Sequence, residues 1–186
     1  MPHYIAFLRG INLGKRRPEM AGLRRLFEKL KFTEVSTFIA SGNVIFASRI
    51  ADSAKLEKQI QDHLQKSLGY GVDTFVRTRA EVAAVAAFRP FAQADMEHPD
   101  HTLYAGFLQT SLSPAQAKQM RSARTDVDDF WVEGREYYWL CRIKSNESKA
   151  WTSPAMKAVK LPTSSMRNLT TVRKLAALYP VEGGAR

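Results

Sequence analysis

An order of hydrophobic periods that occurs twice constrains this chain most. Tyr4–Leu8 is an apolar run of strand length, and Met20, Leu23, Leu26, Phe27 and Leu30 then recur at helical spacing, predicting a helix over 18–30 with Pro18 in its first turn. Val35–Ala40 and Val44–Ala47 are β-rich runs around Ser41-Gly42-Asn43, a hairpin signal. Leu56, Ile60, Leu64 and Leu68 form the stripe of a second helix, capped by Asp52 or Ser53 and closed by Gly69. Val72–Arg77 reads as a strand, and Thr78-Arg79-Ala80-Glu81 has capping-box spacing for a short helix to about Phe88.

After a polar connector the order returns. Thr102–Leu108 is a strand, and Ser113-Pro114 opens a helix with Ala117, Met120 and Ala123 on its apolar side. Val127–Val132 and Tyr137–Cys141 flank Glu133-Gly134-Arg135, a second hairpin. A helix from Ser153 or Pro154 to Val159, a short strand over 162–166 and a closing helix with Val172, Leu175, Ala176 and Tyr179 complete the chain. Strand–helix–strand–strand–helix–strand builds a four-stranded antiparallel sheet with both helices on one face. The expected fold is therefore α+β: two ferredoxin-like (βαββαβ) subdomains, each with an added C-terminal helix. The expected boundaries are 1–90, a connector 91–101, and 102–186. The halves share their order of elements without detectable residue-level identity.

The charge is unevenly placed. The net +10 of the 186 residues comes from the ends: residues 1–31 and 144–186 each carry eight Lys/Arg against two Glu, whereas 32–143 carry twelve basic and fourteen acidic residues. If the fold brings the ends together, they form one basic face suited to phosphate or another polyanion. No run of 18 apolar residues predicts a membrane span, and no secretory signal is seen. A single cysteine, Cys141, excludes an internal disulfide and a Cys-cluster metal site. A cytoplasmic protein without membrane association, and with no implied cofactor, is the expectation.

Three polar stretches invite chemistry. Arg9–Arg17 leaves the first strand and leads into a helix start, where free N–H groups favour anions. It is not a Walker A loop: three residues, not four, separate Gly10 from Gly14, and Arg16 follows Lys15. Ser41-Gly42-Asn43 serves a turn or a ligand. Arg167 and Asn168 precede the last helix among Thr163, Ser164, Ser165, Thr170 and Thr171, and either cap it or hold an oxyanion with Lys174.

Ser148/Lys149 or Ser145/Lys149 is a conceivable nucleophile–base pair with no recognisable orienting group. His3, His63, His98 and His101 show no zinc spacing, and no metal is expected. Of the aromatics Phe130, Trp131, Tyr137, Tyr138 and Trp139, most should face the core, and any that point outward are placed to stack nucleobases.

Tyr4–Gly14, Phe38–Phe46, and Arg167-Asn168 followed by Thr171–Leu175 together resemble the bacterial family called domain of unknown function 1697. The resemblance covers nearly the whole chain and implies an α+β fold with ferredoxin-like subdomains. The family's biochemical function is unassigned, so the resemblance lends no catalytic residues. Leu169 stands where the family usually has Trp, and Lys144-Ser145-Asn146-Glu147 where it usually has a Gly-rich segment.

The leading functional expectation is a binding module whose basic cleft is lined by Arg9, Asn12, Lys15, Asn43, Lys149, Arg167 and Asn168. It would take a phosphate-bearing small molecule, such as a nucleotide, or single-stranded nucleic acid. The alternatives are an enzyme on a small anionic substrate using Ser41 or Ser148, and a partner-binding protein with no pocket.

Overall fold

The computed structural model describes residues 1–12, 18–39 and 42–181. It is α+β, with two four-stranded antiparallel sheets and flanking helices. By compactness the chain divides into two units, Met1–Ala83 with Leu175–Arg186, and Ala84–Lys174. Among the described residues no helix is long and apolar enough to cross a membrane.

Unit one contains β1 (His3–Arg9), α1 (Met20–Lys29), β2 (Thr33–Phe38), β3 (Asn43–Ala47), α2 (Ser53–Leu68), β4 (Asp73–Thr78) and the opening of α3 (Arg79–Ala87). The sheet order is β2-β3-β1-β4, so the first strand is central. Local chemistry sets the helix limits. Asp52 accepts the Ala54 and Lys55 N–H groups at 2.9 and 3.2 Å, and Gly69 ends α2 at φ 78°. Thr78 and Glu81 close a reciprocal capping box, with bonds of 2.7 and 3.1 Å. The start of α1 differs from expectation. Pro18 lies ahead of the helix, and Glu19 is the N-cap without a side-chain bond.

Alternate residues of β1 and β3 meet the helices. Tyr4, Ala6, Leu8, Val44 and Phe46 form one core with Leu23, Phe27, Leu56, Ile60 and Leu64. Phe46 stacks on Phe32 at 4.5 Å and meets Phe27 edge-on at 5.6 Å; such contacts add about 0.5–1.5 kcal/mol each beyond area burial. The other face of these strands is also buried: Ile5, Phe7, Ile45, Phe75 and Arg77 are each at most 1% exposed. Glu57, on α2, accepts the Val76 N–H of edge strand β4 at 2.8 Å and lies 3.8 Å from the Arg77 guanidinium.

Unit two holds the end of α3, α4 (Gln93–Glu97), β5 (Thr102–Phe107), α5 (Pro114–Ser122), β6 (Asp128–Glu133), β7 (Glu136–Cys141), a 3-10 turn at Ala150–Thr152, α6 (Pro154–Ala158), β8 (Ser165–Asn168) and most of α7 (Leu169–Leu178), which ends in unit one. Its sheet order is β6-β7-β5-β8. Ser113 and Gln116 cap α5 reciprocally.

The structure adds an element to the connector and corrects one strand boundary. The connector contains α4, anchored where Arg142 grips the Asp95 carboxylate with bonds of 3.0 and 2.9 Å. The last strand lies at Ser165–Asn168, not 162–166, because it pairs with β5 from Phe107↔Ser165 to Tyr104↔Asn168.

The registers also reveal a residue-level repeat that the sequence reading missed. Tyr4 pairs with Thr78 and Phe46, as Tyr104 pairs with Asn168 and Trp139. Tyr4 thus corresponds to Tyr104, Phe7 to Phe107 and Leu8 to Leu108. Arg77, opposite Ile5, corresponds to Arg167, opposite Ala105.

Candidate functional site

In unit one, β1 runs into Gly10 (φ 81°), a buried Ile11 and an exposed Asn12. The Leu8 N–H donates to the Gly42 carbonyl at 2.8 Å, and the Tyr70 hydroxyl holds the Ile11 carbonyl at 3.1 Å. The β1 loop and the β2–β3 turn therefore meet at one end of the sheet. Gly42 is required there. Its φ is 77°, and a Cβ would lie 2.8 Å from the Ile11 side chain.

Of the expected site residues in this unit, Arg9 is exposed and 3.7 Å from Asp73. Asn43 is fully buried and donates its Nδ2 to the Phe38 carbonyl at 3.0 Å, closing the turn from inside. Lys15 and Ser41 lie outside the described residues.

In unit two, Lys149 is exposed. Arg167 is turned into the protein: its Nη1 donates to the Ser165 hydroxyl and the Met166 carbonyl, both at 2.9 Å, and burial pulls its guanidinium pKa down to about 10. Asn168 Oδ1 accepts the Thr170 N–H at 2.8 Å at the start of α7, the capping role. Both side chains thus make bonds that hold the strand and the helix start.

Ser148 has an orienting group that the sequence did not show. Its hydroxyl donates to Asp128 Oδ1 at 2.8 Å and accepts the Ala150 N–H at 3.2 Å. Asp128 is 1% exposed and also accepts from Trp139 Nε1 at 2.8 Å and Thr125 Oγ1 at 2.9 Å. Three donors on one buried carboxylate tie β6, β7 and the following loop together. They leave the serine hydroxyl as a strut, with its proton pointed at the carboxylate. Cys141 is buried beside this carboxylate, and burial raises its thiol pKa, so it has no thiolate character.

A different place collects unneutralised charge. Along β6, Asp128, Phe130 and Val132 point into the core, so Asp129 and Trp131 come out on the other side. As β6 is an edge strand, α5 packs close by through buried Met120. A groove of about 540 Å³ results, lined by Lys118, Arg121, Ser122, Arg124, Asp129, Phe130 and Trp131. The three cations are exposed, and none is in an ion pair among the described residues. The groove's carboxylate, Asp129, instead faces Arg142 at 3.5 Å. The Arg121 guanidinium lies 5.4 Å from the centre of the Trp131 ring, a cation–π contact worth about 0.5–1 kcal/mol at an exposed site.

The sequence points to the outward aromatics of this hairpin but not to Lys118, Arg121 or Arg124. Their signal was a cation every third residue beside the outward position of a strand. Among the described residues no group of His, Cys, Asp or Glu is arranged to hold a metal ion.

The chain belongs to the family described as protein of unknown function (DUF1697), whose sequence model matches residues 1–138. Its structure is similar to that of the conserved bacterial protein SP0830 from Streptococcus pneumoniae, with a TM-score of 0.72 at 20% identity, over 96% of this chain and 98% of that one. That likeness is one of fold. No curated protein matches the chain.

Proposed function

We propose that this protein is a binding module for a phosphate-bearing ligand, a nucleotide or nucleic acid, and that the groove between α5 and β6 receives it. One observation carries the reading: Lys118, Arg121 and Arg124 line a single groove with Trp131, and no carboxylate pairs with any of them among the described residues. Arg side chains grip phosphate oxygens in a fork, Lys as a point charge, and an indole beside them offers a face to a base. The element order and the strand orders support reading both sheets as ferredoxin-like units.

Thermal shift against phosphate, mononucleotides and a short oligonucleotide tests it. A ligand at 100 times its dissociation constant stabilises the native state by about 2.7 kcal/mol. The expected result is a shift that disappears in the double variant Lys118→Glu/Arg124→Glu and survives in Arg9→Glu. Loss of the shift in Arg9→Glu alone would move the site to the end of the β1 strand. No shift with any ligand would remove the function.

A further inference from the structure

The groove also carries information on which phosphate-bearing ligand it fits. Resting on the reading above, we infer that the ligand is single-stranded nucleic acid, with one base stacked on Trp131 and the backbone running along Lys118, Arg121 and Arg124.

The cations follow one another along the chain beside the groove. Lys118 and Arg121 are three residues apart on α5, about 4.5 Å along its axis, and Arg124 follows beyond the helix end. A row of this kind tracks successive phosphates; one phosphate would be served by cations converging on a point. Trp131 supplies what a row of cations lacks. It is half-buried, on the edge strand, and its ring faces the groove where Arg121 now covers it. Stacking a base is a stronger contact than that exposed cation–π pair, so a base displaces the guanidinium, which then turns to the neighbouring phosphate. Stacking needs an unpaired base with a free face, which duplex DNA does not offer. An acidic polypeptide would use the cations and have no use for the indole face.

The test is fluorescence anisotropy with a labelled oligothymidylate of about 12 nucleotides, over a range of salt, on the intact chain. Trp131→Ala should bind roughly ten-fold more weakly with an unchanged salt slope, the loss of one base stack. Trp131→Phe, which keeps a ring and guards against a folding defect, should recover most of the affinity. Lys118→Ala should lower the salt slope by about 0.7, one phosphate contact on a single strand.

Several results would overturn the inference while leaving a phosphate site in place. They are equal affinity for mononucleotide and oligonucleotide, equal affinity for a duplex of the same length, or indifference to Trp131→Ala. Polyglutamate competing as well as unlabelled oligothymidylate would overturn it in favour of an acidic protein partner. No binding by phosphate, nucleotide or oligonucleotide would overturn this inference and the proposed function together.

Discussion

The two sheets are variations on one plan, and they differ where volume and charge are compensated. In unit one, Ala6 faces Val44; in unit two the corresponding pair is Gly106 and Tyr137. The small residue became smaller as its neighbour became a ring. A Cβ on Gly106 would lie 2.0 Å from the Tyr137 ring, which crosses it to reach the Ser164 hydroxyl at 2.9 Å. Likewise Tyr4 stacks on Phe46 at 5.7 Å, and Tyr104 on Trp139 at 4.9 Å.

The two arginines repeat even the bond from Nη1 to the preceding carbonyl, 2.9 Å in both cases. Arg77 has buried Glu57 at 3.8 Å, whereas Arg167 bonds the Ser165 hydroxyl. The position therefore carries an arginine in both units, with a buried carboxylate near it in one and a hydroxyl bonded to it in the other.

Three sets of substitutions would break or sharpen these arrangements. The largest effect is expected for Arg77→Met, at about 3–5 kcal/mol, because it leaves the Glu57 charge buried without its cation. Adding Glu57→Gln should restore part of the loss. Urea unfolding of the four corners of that cycle measures the coupling, and additivity would show that the pair is not a unit.

Next is Gly106→Ala, expected to cost about 2–3 kcal/mol by overpacking against Tyr137. Ala6→Gly, the reverse exchange in unit one, should cost only about 1 kcal/mol. Equal losses at the two positions would refute the volume argument.

The smallest effect concerns Asp95. Its bidentate bonds from Arg142 hold the carboxyl pKa below the ordinary value of 3.8. A lowered folded pKa means stability that is fully present above about pH 4 and lost as pH falls through the folded value. Asp95→Asn should therefore cost under about 1 kcal/mol near neutrality and measurably less at pH 3. Chemical denaturation at both pH values checks it, and an equal loss at both would assign the effect to packing.

Much of the fold was legible because its signals are local. The capping pair Thr78/Glu81, the Asp52 cap, the Ser113-Pro114 start and the Gly69 stop act over three or four residues, so spacing alone reveals them. The internal repeat was less legible. Its shared residues, Tyr-x-x-Phe-Leu at Tyr4–Leu8 and Tyr104–Leu108, are too few to stand out in the sequence, and the strand registers give the match its meaning.

The candidate site was the least legible. Net charge pointed to the chain ends, yet the open cations lie in the segment whose overall charge is −2. Summing charge over sequence cannot register that Asp128 is buried under three donors and that Asp129 faces Arg142.

By itself the sequence determined the class of fold, the order of its elements and most helix limits, since these follow from periodicity and backbone capping. Only the tertiary structure decided which polar side chains the fold consumes and which it leaves exposed and outside ion pairs among the described residues. Asn43 closes a turn, Asn168 caps a helix and Arg167 bonds its own strand, while Lys118, Arg121 and Arg124 stay open beside Trp131. The physical reason is that a side chain's partners come from other strands and helices, and the register that brings them within about 3 Å is a property of the packed chain.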